Sequence, residues 1–403
     1  MLETIEVISL QDAKCIAKVA LGPDVSIRQF TLKRYSEDKI GFMGHHCRLK
    51  ICVNREDNGA DGEDELVCFV KTLPFGSSTQ MEFAQELTAF NKEIAFFSEI
   101  FPQLMKSQTG IAWAPKCFLT KDNALCFEDL AVKGFRMREG PFDEVHVKSA
   151  LRALAGLHAS SIRIEAEFGK PLNQIYPNDL EETIFSKKNK IHKWFNSGKT
   201  ASIFLAERMG LNVSRLSDAF ERIYGAAAPS SVKTNVLSHG DLWSNNLLFD
   251  DRAKCVLVDF QACRYCPASL DIIELLYLCA APDLRIAKEN EFLQYYYQCL
   301  LDDLENLSTK APPFEEIQGG YAERKIAGCA IAALYFPTAL LDGATCRDML
   351  DTSGTFEEFF FGDRTAAMVE NMERDRSYKN RIEAAVRELV EMSLLLDDLP
   401  VPC

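Results

Sequence analysis

Two short apolar runs separated by a charged turn constrain the fold of this chain most strongly. In the stretch LSHGDLWSNNLLFDDRAKCVLVDF, residues 237–260, the runs NLLF and KCVLVDF are separated by Asp, Asp, Arg and Ala. Two strands joined by so short a turn form a hairpin, which brings its two ends together in space. We therefore expect Asn246, just before the first strand, to lie close to Asp259, at the end of the second.

The polar residues around this hairpin need partners, because polar groups are costly to bury unpaired. Asn246 and Asp259 offer the hard oxygen ligands that Mg²⁺ prefers when it also holds phosphates and waters. Asp241 lies five residues before Asn246, on the loop that enters the hairpin, where it can orient a hydroxyl and accept its proton. The stretch thus indicates a metal-phosphate site with a catalytic base beside it.

An ion pair is predicted further upstream. Lys71 ends the apolar run VCFVK. Glu93 lies on or beside the apolar face of a helix predicted over residues 80–101, where Phe and aliphatic residues recur at spacings of three and four. A strand lysine paired with a helix glutamate positions nucleotide phosphates in protein kinases. Solvated surface charges are the alternative interpretation of each residue taken alone.

The order of the elements predicts an α+β fold. The runs SIRQFTL, HCRLKICV and ELVCFVKTL read as strands before that helix, with the acidic turn NREDNGADGEDE between the last two, and ALCFEDL reads as a further strand after it. Helical patterns dominate from about residue 142. We therefore expect a β-rich N-terminal lobe over residues 1–130 and a mainly helical C-terminal lobe over residues 131–403.

Charge and composition limit the classes of ligand and partner that this chain is expected to bind. A net charge of −14 argues against nucleic acid or an anionic membrane as the main ligand, and so favours a small molecule, with no obligate protein partner implied. The most apolar window, residues 326–341, is shorter than a bilayer span of about 20 residues and contains Gly328 and Pro337, so we expect a buried helix. Scattered cysteines and an acidic N-terminus without an apolar core favour a cytoplasmic location.

The motifs also resemble a known superfamily. HGDLWSNNLLF followed by VDFQ is similar to the HxD motif, the Asn five residues later and the metal-binding Asp of aminoglycoside and choline phosphotransferases, which are relatives of the protein kinases. Trp243 within the loop, DFQACRY in place of a DFG triplet, FVKTLP around Lys71 and FNKEIAFFSEIFPQL around Glu93 look most like the ecdysteroid kinase-like family. The resemblance runs from about residue 25 into the helical C-terminal region and is strongest over residues 237–278.

The resemblance implies a two-lobed protein-kinase-like fold that uses ATP and Mg²⁺. Lys71 would contact the α and β phosphates, and Glu93 would hold Lys71. Asp241 would be the catalytic base, while Asn246 and Asp259 would bind Mg²⁺.

The same resemblance assigns supporting parts. Backbone groups of the hinge residues would meet the adenine, namely Glu128, Asp129 and Leu130. His239 is expected to brace the loop and Asp271 to support it from behind. Arg264 would either contact phosphate or substrate, or pair with a surface acid.

One part of the family pattern differs in this sequence. A GxGxxG loop is missing, and the region that would cover the phosphates reads KIGFMGHHCRLKI, with Gly41 and Gly44 to relax the turn. His45 and His46 stand where family members often carry Asn and Ser. Backbone N–H groups can still bind phosphate here.

The resemblance implies transfer of the γ-phosphoryl group of ATP to a hydroxyl of a small molecule, with an ecdysteroid or other steroid alcohol expected first. The alternatives are a kinase of another small alcohol (xenobiotic, choline-like or sugar) and a catalytically inactive kinase-like protein that binds a ligand. Trp194 and the clusters LQYYYQCL and EEFFFGD are candidates for an acceptor pocket. Their helical spacing, like that of His158, favours the core instead.

Overall fold

The computed structural model describes residues 7–36, 44–55, 64–75, 77–106, 113–304, 311–350 and 353–403. Its strands are β1 (Val25–Arg34), β2 (His45–Arg55), β3 (Asp64–Thr72), β4 (Cys117–Lys121), β5 (Ala124–Glu128), β6 (Arg136–Met137), β7 (Asn235–Ser238), β8 (Leu247–Phe249), β9 (Cys255–Leu257) and β10 (Arg264–Pro267). Its helices are α1 (Leu10–Leu21), α2 (Ser78–Glu86), α3 (Ala89–Ala95), α4 (Phe101–Met105), α5 (Glu144–Phe168), α6 (Leu172–Ile175), α7 (Asn189–Arg208), α8 (Leu216–Ala227), α9 (Ser269–Cys279), α10 (Pro282–Leu304), α11 (Phe314–Ala339), α12 (Gly343–Leu350), α13 (Ser353–Phe361), α14 (Thr365–Arg374) and α15 (Arg376–Ser393). A π-helical turn (Phe96–Ile100) joins α3 to α4, and a 3-10 turn (Ser244–Asn246) precedes β8.

The first five strands form one antiparallel sheet in the order β1-β2-β3-β5-β4. Side chains alternate across a strand, so one face of the sheet can be apolar. That face carries Leu49, Ile51 and Val70, which pack with Ile16 of α1 in a common core. The strands predicted from the sequence are thereby confirmed, while residues 56–63 of the predicted acidic turn lie outside the described residues.

The helix predicted over residues 80–101 is divided. Thr88 has φ +50°, a left-handed conformation that ends α2 and starts α3 in a new direction. The π-helical turn then inserts its wider turn before α4. Phe83 of α2 and Phe90 of α3, on either side of this break, are both buried. The apolar face was predicted correctly, but its continuity was not.

Long helices make up the rest of the core. Each residue of α9 is buried, and α9 packs against α11, whose residues 326–338 are buried as well. Gly328 of α11 permits this contact, because a Cβ at that position would lie only 2.7 Å from Ile273 and 2.8 Å from Tyr277. The predicted buried helix is confirmed, and no helix in the described ranges is long and apolar enough to cross a membrane.

Two small sheets lie within the helical lobe. One has the order β6-β8-β9 and the other pairs β10 with β7. Within the first, Leu247 pairs with Leu257, so the predicted hairpin is present. The α+β fold with a β-rich N-terminal region and a helical C-terminal part is confirmed. The exact division into residues 1–130 and 131–403 stays a prediction, although the last strands of the large sheet end near it.

Candidate active site

The hairpin brings the predicted metal ligands to one place. The Val258 N–H donates to the carbonyl oxygen of Asn246 (3.0 Å), which places Asp259 immediately beside Asn246. The Asn246 amide in turn donates to the carbonyl (2.8 Å) and carboxylate (3.0 Å) oxygens of Asp241. Because its NH₂ group is used in this way, the amide oxygen is the atom of Asn246 that can bind a cation.

The predicted lysine–glutamate pair is also formed. The buried Lys71 ammonium donates to Glu93 Oε2 (2.6 Å), Asp259 Oδ1 (2.8 Å) and Gln261 Oε1 (3.2 Å). Burial alone would lower the pKa of Lys71, but the two carboxylates raise it above its usual range. Burial raises the pKa of Glu93, and the Lys71 ammonium opposes that rise. Lys71 is thus a charged group that links the sheet to the hairpin.

Asp241 has the electrostatic character that a general base needs. Burial, with a further contribution from the Asp259 carboxylate, raises its pKa to about 7, while the hydrogen bond from Asn246 opposes the rise. A base is most effective when its pKa lies near the operating pH. Asp241 can therefore exchange a proton near neutrality.

The loop around Asp241 is held from behind by Asp271. Its carboxylate accepts hydrogen bonds from the Ser238 hydroxyl (2.6 Å) and from the N–H groups of His239 (2.8 Å) and Gly240 (3.2 Å). The fourth contact is His158 Nε2 at 3.0 Å. Although burial opposes ionisation, these contacts lower the pKa of Asp271. Asp271 thus supports the loop rather than capping its own helix.

His158 and His239 both have structural contacts. His158 is buried with Nδ1 at 2.7 Å from the Tyr296 hydroxyl and Nε2 at Asp271, which makes it a satisfied core residue as predicted. His239 Nε2 lies 3.0 Å from the Val258 carbonyl oxygen, and its Nδ1 accepts the N–H of Asp241 (3.3 Å). The loop is thereby tied to the end of β9.

Gly240 allows a close approach that no other residue would permit. Its φ is +84°, and a Cβ there would lie 2.1 Å from the carbonyl oxygen of Ala262. The conformation and the contact both favour glycine. The residue before Asp241 is therefore fixed by sterics.

Arg264 makes its contacts in the protein interior. It is buried, donates to Glu182 Oε2 (2.6 Å) and to the Gly240 carbonyl (3.0 Å), and pairs with Glu274. The pairing with acids that the sequence left open is present, but at a buried position rather than at the surface.

The predicted hinge keeps its acidic side chains occupied. The Glu128 carboxylate accepts the Lys116 N–H (2.9 Å), and Asp129 accepts from the Tyr35 hydroxyl (2.9 Å) and Arg48 Nε (3.2 Å). Leu130 packs in a small apolar cluster with Phe135 and Val256. The backbone and the Leu130 side chain are thus the parts of this segment that could contact a flat ring.

One cavity of about 350 Å³ is lined by every site residue predicted from the sequence, and the lining residues that matter most fall into two groups. The first group, which we name the nucleotide end, combines the charged cluster with the hinge and its apolar neighbours, namely Lys71, Glu93, Asp241, Asn246, Asp259, Gln261, Glu128, Asp129, Leu130, Phe135, Leu248 and Val258. The other group, which we name the apolar chamber, consists of Phe83, Leu87, Ile184, Ile191, Trp194, Trp243, Tyr335, Thr338, Ala339 and Phe360.

The apolar chamber contains residues that sequence reasoning left in the core. Trp194 and Phe360 line the cavity, and Trp194 packs edge-on against Tyr335 with ring centroids 5.5 Å apart. LQYYYQCL does not contribute, because Tyr296 packs on His158 instead. Gln261 was also missed, although its place two residues after Asp259 was a usable signal.

The predicted ligands are of the chemical type that Mg²⁺ prefers. The described part of the chain has no cluster of three or more His, Cys, Asp or Glu side chains suited to a metal. Mg²⁺ that is held jointly with substrate phosphates needs only one or two carboxylates from the protein. Asp259 and the amide oxygen of Asn246 meet that need.

The region predicted to cover the phosphates is described only in part. Residues 37–43, with Gly41, lie outside the described residues. His46 lines the cavity and packs at a tilt against Phe69, with ring centroids 5.0 Å apart. Burial, followed by the nearby Lys71 ammonium, lowers the pKa of His46 to about 4, so its ring is neutral at pH 7.

Comparison with known proteins decides the family. The model of the ecdysteroid kinase-like family matches residues 41–309, which is more than half of the chain. The chain belongs to this family. The matched range of this ecdysteroid kinase-like protein includes every site residue predicted from its sequence.

Individual relatives are distant. An uncharacterized kinase-like protein of Caenorhabditis elegans is 26% identical over 264 residues, which is 62% of this chain and 65% of that protein, so the match spans less than two thirds of the relative. Among solved structures, the ecdysteroid kinase-like chain is similar to an ethanolamine kinase of Plasmodium vivax, at 13% identity and TM-score 0.43 over 91% of this chain and 83% of that one. It is also similar to the choline kinase LicA of Streptococcus pneumoniae, at 11% identity and TM-score 0.38 over 93% and 96%.

Proposed function

We propose that this protein transfers the γ-phosphoryl group of ATP to a hydroxyl of a neutral, lipophilic small molecule, with an ecdysteroid or another steroid alcohol as the first candidate. The observation that carries the proposal is one cavity in which Lys71, Asp241 and Asp259 adjoin the apolar chamber. Membership of the ecdysteroid kinase-like family supports it.

The nucleotide end suits ATP. The adenine ring would lie among Leu130, Phe135 and Val258, with its edge at the backbone of residues 128–130. Lys71 would bind the α and β phosphates. Lys71 would keep its hydrogen bonds to Glu93 and Gln261 when the Asp259 carboxylate binds the metal ion.

Asn246 and Asp259 would hold Mg²⁺. When bound, the ion would neutralise charge on the phosphates and orient them for in-line transfer. The hydrogen bond from Asn246 to Asp241 fixes the position of the predicted metal ligand relative to the predicted base.

Asp241 would act on the acceptor. Its carboxylate would accept the proton of the acceptor hydroxyl as that oxygen forms a bond to the γ phosphorus. The bond between the γ phosphorus and the bridging oxygen would break, and ADP would leave with the electron pair. A base whose pKa is about 7 suits this step at neutral pH.

The acceptor class follows from the chamber lining. The acidic residues that line the cavity, Glu93, Glu128, Asp129, Asp241 and Asp259, all belong to the nucleotide end, and the described chamber residues include no carboxylate. A cationic acceptor would be desolvated there with Asp241, at the boundary of the chamber, as its nearest counter-charge, and a sugar would lose most of its hydrogen bonds. A lipophilic alcohol loses least, which favours a steroid or xenobiotic alcohol over a choline-like or sugar acceptor.

Phosphoryl transfer from labelled ATP tests the proposal directly. The assay uses Mg²⁺ and a panel of ecdysteroids, other steroid alcohols, choline and plant phenolics, with Asp241→Asn as the control. We expect transfer to a neutral lipophilic alcohol that is lost in the variant. Transfer to choline alone would contradict the acceptor class, and failure to bind Mg·ATP would contradict the kinase reaction itself.

A further inference from the structure

We propose that residues 180–185, here named the bridging segment, position both Glu93 and the catalytic loop, with Lys92 and Glu182 as the positioning residues. The segment lies in the helical lobe between α6 and α7, and none of the motifs includes it. The inference rests on the proposed function, because it assigns these residues a role in that reaction.

The first connection runs from the bridging segment to α3. Lys92 directly precedes Glu93 and is only 2% exposed. Its ammonium donates to the Glu181 carbonyl oxygen at 2.6 Å. A buried cation must keep such a partner. Displacement of α3 from the segment would break this bond, and Glu93 would move together with Lys92.

The second connection runs from the bridging segment to Arg264. Glu182 Oε1 accepts the N–H groups of Ile184 (2.6 Å) and Phe185 (2.8 Å), which fixes the turn of the segment itself. Its other oxygen, Oε2, accepts a hydrogen bond from Arg264 Nη1 at 2.6 Å. One carboxylate therefore joins the shape of the segment to the buried guanidinium.

Arg264 links Glu182 to both neighbours of Asp241. Its Nη2 donates to the Gly240 carbonyl at 3.0 Å and also pairs with Glu274. The second Glu274 oxygen accepts the Leu242 N–H at 3.4 Å. The bridging segment is thus joined to the residue before Glu93 and to the residues on either side of the predicted base.

The same segment contributes Ile184 to the apolar chamber. One stretch of six residues therefore touches the acceptor site and supports both charged parts of the nucleotide end. Networks of buried charges are energetically coupled, because each member depends on the geometry of the next.

The first test measures binding of Mg·ADP by calorimetry in Lys92→Met. Methionine fills a similar volume but cannot donate to the Glu181 carbonyl. We expect binding at least about fivefold weaker than in the wild type, because Glu93 no longer holds Lys71 in place. Lys188→Met is the matched control, since its side chain is 74% exposed and its ion pair with Glu181 lies at the surface.

The second test measures transfer kinetics in Glu182→Gln. Glutamine keeps Oε1 for the two N–H groups but removes the charge that faces Arg264. We expect kcat to fall at least about fivefold while the Kd for Mg·ADP stays unchanged, a split that general destabilisation would not produce. Glu221→Gln removes the same charge from an exposed pair with Lys187 and is expected to leave both quantities unchanged.

The outcomes separate this inference from the proposed function. A wild type that fails to bind Mg·ADP would overturn both. Wild-type binding and transfer with Lys92→Met matching Lys188→Met, or with Glu182→Gln matching Glu221→Gln, would overturn the inference alone. Thermal unfolding of each variant shows whether it is folded, and if Lys92→Met does not fold, the Glu182→Gln kinetics decide.

Discussion

The two ends of the cavity are built in opposite ways. At the nucleotide end, the buried Lys71 and Glu93 and the half-buried Asp241 each have a named hydrogen-bond partner. The apolar chamber is lined by rings and aliphatic groups from α2, the bridging segment, α7, α11 and α13. A buried charge cannot move without leaving a partner unpaired, whereas an apolar wall loses only contact area when it changes. The chemistry is therefore fixed more tightly than the acceptor specificity.

The replacement Asp241→Asn, at the nucleotide end, should have the largest effect on activity. It keeps the size of the side chain and its contact with Asn246 but removes the base. We expect kcat to fall about a thousandfold, within the range for loss of general base catalysis, while Mg·ADP still binds. Single-turnover transfer from labelled ATP measures the first quantity and calorimetry the second. Unchanged turnover would contradict the role of Asp241.

Gly240→Ala tests how rigidly the loop is held. The added Cβ would collide with the Ala262 carbonyl oxygen, so we expect loss of transfer and a fall of about 2 kcal/mol or more in the free energy of unfolding. Gly210→Ala is the control, because Gly210 also has positive φ (+71°) but nothing lies within 4 Å of its Cβ. Urea denaturation compares the two. Equal losses would mean that φ alone, not the close contact, fixes Gly240.

The dependence of transfer on pH tests the electrostatics of the same end. Asp241 must be deprotonated to accept a proton, and burial has raised its pKa to about 7. We therefore expect kcat/KM for ATP to fall about tenfold for each pH unit below 7 and to level off above it. A profile that stays flat down to pH 5 would show that Asp241 titrates in the ordinary carboxylate range.

Ile191→Ala addresses the chamber and should have the smallest effect. Ile191 is 5% exposed and lines the chamber from α7. Loss of its methyl and methylene groups should raise KM for a lipophilic acceptor about tenfold without changing the Kd for Mg·ADP. Parallel acceptor and nucleotide titrations measure both. An equal change in the two constants would mean that the ends of the cavity are not independent.

The comparison also explains what the sequence could predict. The hairpin that joins Asn246 to Asp259 depends on fourteen consecutive residues. Strand and helix periodicity placed Lys71 and Glu93 on their elements, and the arrangement known from protein kinases paired them. The link from Glu182 to Arg264 spans 82 positions, and no local pattern encodes it. Trp194 shows the other limit, because an aromatic residue at helical spacing looks the same whether it faces the core or a cavity. The break at Thr88 was missed because tertiary packing overrides helical periodicity.

The contacts of Asp271 determine when the loop around Asp241 becomes ordered. Its carboxylate gathers Ser238, His239 and Gly240 through hydrogen bonds between buried groups of the fold itself. The conformational entropy of the loop is therefore lost once, when the chain folds, and not again in each catalytic cycle. Under the proposed function, a substrate that reaches Asp241 would meet dipoles that are already oriented, so little reorganisation energy would be needed at the moment of transfer.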